Sequence, residues 1–262
     1  MEKKLYYLPV YYDTAFSYDI TGELNFFIAC FEAYADIEVS RILEPACGSG
    51  RLLLPLAERG YHVLGYDISE EMVAYTRDKI AQVGLNGRAE VVLGDMRTRE
   101  FKETFDAALN LLNTIGYLLS DADILRHFKA VSRSLRRGGI YIVELACAPA
   151  HPRTQEQPED TWTAERDGVT VQTTWHTERY DYARKRKYNI CKMHVMDGIQ
   201  KKQFMFIEPH ILRLWFAEDV KRLSAAGGFV LKAIYNQGFD RIPLDAPLNG
   251  ELGNLYFVLK KE

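Results

Sequence analysis

Between Arg41 and Ser69 the chain reads RILEPACGSGRLLLPLAERGYHVLGYDIS. A short apolar run enters a turn of small residues, a helical run follows, and a second apolar run ends on an acid. This order narrows the folds open to the chain. A small-residue turn between a strand and a helix gathers backbone N–H groups at one point. In open α/β sheets ligands lie at the carboxyl ends of the strands, near the switch in strand order. The turn and Asp67 both occupy such ends, so the stretch predicts a ligand site on a mostly parallel sheet.

The rhythm continues to Cys147. Strands are expected at Arg41–Glu44, Tyr61–Tyr66, Arg88–Leu93, Phe105–Leu109 and Ile140–Leu145. Helices are expected at Gly50–Arg59, Glu70–Val83 and Ala122–Leu135, the last stopped by Gly138-Gly139. In the second of these helices Met72, Val73, Tyr75, Thr76 and Ile80 share one broad face. Past Pro149 the rhythm breaks. A Pro- and Gln-rich loop at His151–Asp160 precedes three alternating runs that start at Val169, Arg186 and Lys202, with a hairpin turn at Asp197-Gly198. A helix over Ala217–Ala226 and strands over Phe229–Tyr235 and Asn254–Leu259 complete the chain. The last two strands lack a crossover helix between them, so one of them is reversed. The fold class is α/β: a doubly wound, mostly parallel seven-stranded sheet with one reversed strand, plus an antiparallel β insert after strand five. The expected domains are an N-terminal lid or helical segment (1–40), a cofactor-binding core (41–148), the β insert as acceptor or dimer region (149–215), and the C-terminal part of the core sheet (216–262).

Which ligand the turn holds is decided by spacing. A dinucleotide fingerprint, GxGxxG, would put Leu53 where glycine permits close helix–strand approach, and a P-loop lacks its GK[ST]. The spacing that fits is Glu44-x-Ala46-x-Gly48-x-Gly50. It resembles motif I of the class I S-adenosylmethionine-dependent methyltransferases, ExGxGxG, with Ala46 at the first glycine. Alanine suits that position if its φ is negative. The resemblance implies S-adenosylmethionine as cofactor and S-adenosylhomocysteine as product. It further implies that Asp67 binds both ribose hydroxyls, that Asp95 in Gly94-Asp95-Met96 accepts from the adenine amino group, and that Asn110 and Leu111 lie beside the methionine part. Leu135-Arg136-Arg137-Gly138-Gly139 matches the family's loop before strand five. Glu44 either bonds turn amides or touches the cofactor, and Ala46, Cys47, Gly48 and Gly50 form the turn. Backbone N–H groups of the turn and the helix start suit the methionine carboxylate. A buried apolar floor at Ile68 and Met72 suits a flat adenine.

Other residues are weighed beside this core. The N-terminal stretch LYYLPVYYDTAFSYD is rich in tyrosine. It is read as a lid centred on Tyr11, Tyr12 and Tyr18, against the plainer reading of a helix packed on the sheet. Tyr117 follows strand four where the family faces its acceptor. Glu144 and His210 are further pocket candidates, and Tyr117 and His210 are the catalytic choices. The cluster Arg184, Lys185, Arg186 and Lys187 is either a solvated hairpin end or a phosphate contact. The histidines show no metal spacing, so no metal is expected.

Composition sets bounds on partners. A net charge of −3 argues against nucleic acid and anionic membranes. Four scattered cysteines with no CxxC pair point to a reduced, cytoplasmic protein. No apolar run approaches ~18 residues, so no membrane span is expected.

Within the resembled family the chain is most similar to small-molecule enzymes with an antiparallel insert after strand five, including glycine and sugar-amine N-methyltransferases. The expected activity is methyl transfer to a small-molecule acceptor, nitrogen ahead of oxygen. No DPPY or NPPY motif and no Pro-Cys nucleophile near strand four is present, which disfavours base methylation. The alternatives are a catalytically silent cofactor-binding subunit, a methyltransferase acting on RNA or protein, and an NAD-dependent enzyme on the same architecture. A homodimer through the insert strands is also an expectation.

Overall fold

The computed structural model describes residues 5–102, 104–148, 160–248 and 253–262. The expected Pro- and Gln-rich loop falls almost wholly outside them.

A 3-10 turn at Leu5–Tyr7 leads into two helices, α1 (Pro9–Ala15) and α2 (Thr21–Tyr34). The core then runs β1 (Arg41–Pro45), α3 (Leu53–Glu58), β2 (His62–Asp67), α4 (Glu70–Gln82), β3 (Ala89–Leu93), β4 (Phe105–Asn110), α5 (Asp121–Ser134) and β5 (Leu135–Ala146). The insert is β6 (Asp160–Arg166), β7 (Val169–Asp181), β8 (Arg186–Asp197) and β9 (Lys202–Arg213). The chain closes with α6 (Ala217–Ala226), β10 (Phe229–Tyr235), β11 (Arg241–Ile242) and β12 (Asn254–Lys261).

The core sheet has the order β11-β10-β12-β5-β4-β1-β2-β3. β11 contributes two residues at the edge, which leaves the expected seven full strands. β12 runs antiparallel to both neighbours, β10 and β5, and is the reversed strand. Helices α2, α3 and α4 cover one face, through Phe27, Phe31, Leu56 and Ile80 among others. Helices α5 and α6 cover the other, through Ile124, Phe128, Val131 and Leu223. Burial on both faces explains why the central strands read as continuous apolar runs.

Four local expectations need correction. The Gly138-Gly139 pair does not stop α5. The helix ends at Ser134 and β5 begins at once, with the pair inside that strand beside a register shift against β4. A Cβ on Gly139 would lie 2.5 Å from the Asp106 carbonyl oxygen, so glycine is required there by close strand approach. Helix α3 starts at Leu53, three residues later than expected, and is six residues long. The insert has four strands rather than three, because DTWTAER forms β6. Its alternation has only Trp162 and Ala164 as apolar residues, too weak a period-2 signal to separate from loop. Finally, α2 belongs to the core and packs beneath β5 and β12, which leaves only the segment through α1 for the expected lid.

That segment has its own small core. Leu5, Tyr11 and Ala15 pack on the inner face of the insert against Val171, Met193, Val195 and Phe206. The insert is tied to the core at its stem, where Cys147 bridges to Trp215 and the Ala148 N–H donates to the Trp215 carbonyl at 2.6 Å.

Candidate active site

The turn after β1 sits at the carboxyl edge of the sheet and is fastened from three sides. The Cys47 N–H donates to the Tyr66 carbonyl of β2 at 3.1 Å. The Gly48 N–H donates to Asp67 Oδ2 at 2.9 Å, and the Ser69 N–H to Asp67 Oδ1 at 2.9 Å. From α4, Thr76 Oγ1 donates to the Gly48 carbonyl at 2.8 Å and Lys79 Nζ to the Ser49 carbonyl at 3.0 Å. Ser69 caps α4 by accepting from the Met72 N–H, so Asp67 is not needed as the cap. Burial pushes the Asp67 carboxyl up, and the turn amides pull it back only in part.

Ala46, Gly48 and Gly50 all have positive φ, at 54°, 53° and 76°. The expectation of a negative φ at Ala46 is therefore wrong: the motif's left-handed residue is kept and alanine bears the strain. Ala46→Gly should raise ligand-free stability by roughly 0.5–1 kcal/mol, the left-handed penalty less the added freedom of the unfolded chain. Urea unfolding measures this, and a midpoint unchanged or lowered would reject the strain.

Close packing under the turn is supplied by Gly65 of β2. A Cβ there would lie 2.6 Å from Cys47 Sγ and 2.6 Å from Leu53 Cδ1. Leu53 occupies the third-glycine position of a dinucleotide fingerprint, so here the missing side chain is on the strand rather than on the helix.

Glu44, the turn, Arg51, Leu111, Leu112, Thr114, Tyr12 and Phe16 enclose a cavity of about 40 Å³. Glu44 is buried, and its Oε2 has no partner. Burial lifts its carboxyl to about 8 against the opposing Arg51 charge, so at neutral pH it is held largely protonated. Arg51 is paired with Glu23 at 2.7 Å and lies over the Tyr18 ring at 5.1 Å.

The expected adenine end is arranged differently. Met72 is buried, but Ile68 is 69% exposed and Leu93, at the next strand end, 49%. The apolar surface there is an open step, not a buried floor. Asp95 is bound by Arg97, with 2.8 Å from Nε to Oδ2, and this pairing holds its carboxyl below the usual range. The Met96 carbonyl accepts from His127 Nδ1 at 2.7 Å, and His127 Nε2 meets the Tyr141 hydroxyl at 2.7 Å. This fixes the Gly94–Met96 loop from behind.

Two expected site residues turn inward. Asn110 donates to the Pro45 carbonyl at 2.9 Å and accepts from the Ile115 N–H at 3.0 Å, so its side chain joins two strand ends. Glu144 accepts from the Leu112 N–H at 2.6 Å and from Asn254 Nδ2 at 2.7 Å. It holds Leu112, whose φ is 55°, in place and does not line the cavity.

The lid tyrosines separate. Tyr12 lines the cavity, and Tyr18 stands beside Arg51. Tyr11 points away, donating to Asp197 of the insert at 2.9 Å. Tyr6, absent from the expected set, takes its place. Its hydroxyl meets that of Tyr117 at 2.9 Å, and Tyr117 meets His210 Nδ1 at 2.9 Å. His210 stacks on Trp175 with centroids 4.9 Å apart, and its buried Nε2 has no partner. Burial pushes its imidazole below the ordinary value, with Glu208 opposing. The two catalytic candidates are thus brought together, with Tyr6 and Trp175 added. The tyrosine cluster signalled Tyr6 only collectively, because helical rotation decides which rings face in.

The basic cluster is engaged within the protein. Arg184 bonds Asp181, Lys185 bonds Asp219, Arg186 bonds the Leu119 carbonyl, and Lys187 lies over Tyr180.

Comparison with known proteins adds the family. A methyltransferase-domain family matches residues 42–139, the span that carries the turn, Asp67 and Asp95. This part of the chain is similar to a methyltransferase domain. A putative methyltransferase of Bacillus subtilis is 34% identical over 112 residues, covering 41% of this chain and 43% of that protein. The dTDP-3-amino-3,4,6-trideoxy-α-D-glucopyranose N,N-dimethyltransferase of Streptomyces venezuelae is 24% identical over 205 residues, 77% of this chain and 79% of that one. Among solved structures, an S-adenosylmethionine-bound amino pentose methyltransferase from Micromonospora echinaspora superposes with a TM-score of 0.72. It is 21% identical and covers 100% of this chain and 98% of its own. The shared fold therefore includes the insert as well as the methyltransferase domain.

The residues of the domain fit a nucleoside carrying a cationic amino-acid tail. The orphaned Glu44 Oε2 faces a glycine turn that admits close backbone approach, and Asp67 supplies a carboxylate at the neighbouring strand end. The space bordered by the turn is small, room for on the order of three waters, so an amino-acid tail enters it only if the segment above it moves.

Proposed function

We propose that the protein is an S-adenosylmethionine-dependent methyltransferase that methylates an amine on a small molecule. The observation that supports this reading is that one covering segment joins the glycine turn to the Tyr6–Tyr117–His210 chain; on this reading a donor site and a base for the acceptor share one lid. The cofactor, when bound, supplies a methyl group already activated on sulfonium. What the protein adds is orientation and proton handling. The turn backbone and Arg51 border the amino-acid tail, Asp67 the ribose, and the Gly94–Met96 loop with Ile68 the adenine. Tyr12 and Phe16 wall the methyl side and exclude water.

An amine attacks only when neutral. In the tautomer that donates from Nδ1 to Tyr117, His210 Nε2 is left as an acceptor for that proton. Its depressed pKa keeps the imidazole neutral at pH 7, so activity should fall only as acid charges it, below the ordinary imidazole range. Amino sugars are the favoured acceptor class, because relatives aligned across the insert act on them. The insert and the N-terminal segment form the acceptor region on this reading. The exposed Met205, Ile207 and Ile211 on the outer face of β9 are where two copies would meet. Among the described residues no helix is long and apolar enough to cross a membrane.

The test pairs calorimetry with S-adenosylhomocysteine and transfer of labelled methyl to a dTDP-linked 3-amino sugar. Binding and transfer are expected. His210→Phe keeps the stack on Trp175 and removes the base, so kcat should drop ~100-fold with product-cofactor affinity within about twofold. No binding at millimolar ligand would reject the reading, and unchanged kcat in the variant would reject the base.

A further inference from the structure

No motif marks Asp13, yet its carboxylate joins three parts of the molecule. It lies on α1 and is 5% exposed. From α4 it accepts the Tyr75 hydroxyl at 2.8 Å and Lys79 Nζ at 2.9 and 3.0 Å. From β6 of the insert it accepts Arg166 at 2.6 Å. Lys79 spends its remaining reach on the Ser49 carbonyl, inside the turn that borders the cavity. A continuous polar chain therefore runs from the turn through Lys79 and Asp13 to the insert.

Apart from Tyr12, which faces the turn across the cavity, the rest of α1 holds to the insert. Its apolar side packs there, Tyr11 bonds Asp197, and the Trp162 indole N–H donates to the Ala15 carbonyl at 2.8 Å. Asp13 is thus the charged contact between this helix and the core, next to Tyr12, which lines the cavity. An exposed ion pair would carry little energy. This one is buried, and removing one partner strands the other charge. Burial alone would raise the Asp13 carboxyl, but Lys79 first and Arg166 after it hold it below its ordinary value.

We propose that Asp13 is a positioning residue that latches the N-terminal helix onto the core over the cofactor cavity and, through Lys79, sets the Ser49 carbonyl of the turn. The latch rests on the methyltransferase reading for its ligand but not for its geometry. Release of Asp13 from Tyr75 and Lys79 lets α1 lift with the insert, and re-formation of the contacts closes the site. Donor and acceptor sides are coupled through one carboxylate, since Arg166 is on the acceptor side and Lys79 on the donor side.

The experiment uses the full chain and S-adenosylhomocysteine as probe. Asp13→Asn should bind it ~10-fold or more weakly, chiefly through faster dissociation. Amide hydrogens of residues 9–16 should exchange faster in the same variant, a readout that needs no ligand. Lys79→Met should reproduce the affinity loss, and the double variant should be little worse than either single one. Asp13→Glu, which keeps the charge, should recover part of the affinity. Asp13→Asn with parental affinity and parental exchange would overturn the latch, as would losses that multiply in the double variant. If Asp13→Asn does not fold, Lys79→Met decides by the same two measurements. If the parent itself fails to bind the probe, the cofactor reading falls, while the exchange of residues 9–16 still decides whether Asp13 holds the helix.

Discussion

Asp67→Asn is expected to weaken S-adenosylhomocysteine binding about ten- to a hundredfold and also to destabilise the ligand-free protein. From the sequence alone only the first effect follows, since Ser69 caps the next helix. The structure adds the second. Both carboxylate oxygens already accept backbone N–H groups, from Gly48 and Ser69. Asparagine would turn an amide NH₂ toward one of them, leaving a buried donor facing a donor. Such a loss costs about 1–3 kcal/mol, and a hydrogen bond to a charged group is worth roughly 1.5–3 kcal/mol to the ligand. Calorimetry and thermal unfolding of the same sample separate the two. Parental affinity in the variant would remove Asp67 from the site, and an unchanged melting temperature would remove it from the turn.

The second large effect is expected at Gly65. Gly65→Val places methyl groups where Cys47 Sγ and Leu53 Cδ1 now sit, within 2.6 Å of the new Cβ. Overpacking of this kind costs about 1–3 kcal/mol, occasionally more. Because Cys47 lies in the turn, relief comes most readily by pushing the turn off β2. The Gly48–Asp67 bond is then lost, and cofactor affinity should fall ~100-fold. Shortening the opposing side chain in a Gly65→Ala/Leu53→Ala pair should restore much of it relative to Gly65→Ala alone. Full affinity and an unaltered unfolding midpoint in Gly65→Val would show that the contact is not what seats the turn.

Much of this architecture is legible in the residues because it rests on local signals. The period-2 and helical runs of the core, the Asp197-Gly198 turn and the small-residue spacing after Glu44 each carry their structure in a few neighbouring positions. What was not legible depends on partners far away in sequence. The sign of φ at Ala46 is set by how the whole turn is strapped to Asp67 and α4. Gly138-Gly139 has the look of a helix stop, and only contact with the Asp106 carbonyl reveals it as a strand glycine. Asn110 and Glu144 stand at strand ends, as site residues do, yet each is consumed by a loop amide and a second strand. Tyr6 and Tyr11 are indistinguishable by composition; one reaches Tyr117 and the other Asp197 because of a single rotation of the chain. Asp13 had no signal at all, since its three partners lie on two other elements.

The position of β12 bears on how the protein is made. It is the last strand in sequence but lies inside the sheet, antiparallel between β5 and β10. During synthesis β5 is complete long before residues 254–261 emerge, and until then it presents a bare apolar edge next to the finished donor half. β10 has only the two-residue β11 to pair with and no link to the rest of the sheet. Unpaired strand edges of this sort invite association between nascent chains, so the interval between translation of β5 and of β12 is the stretch in which a ribosome-bound copy most needs shielding.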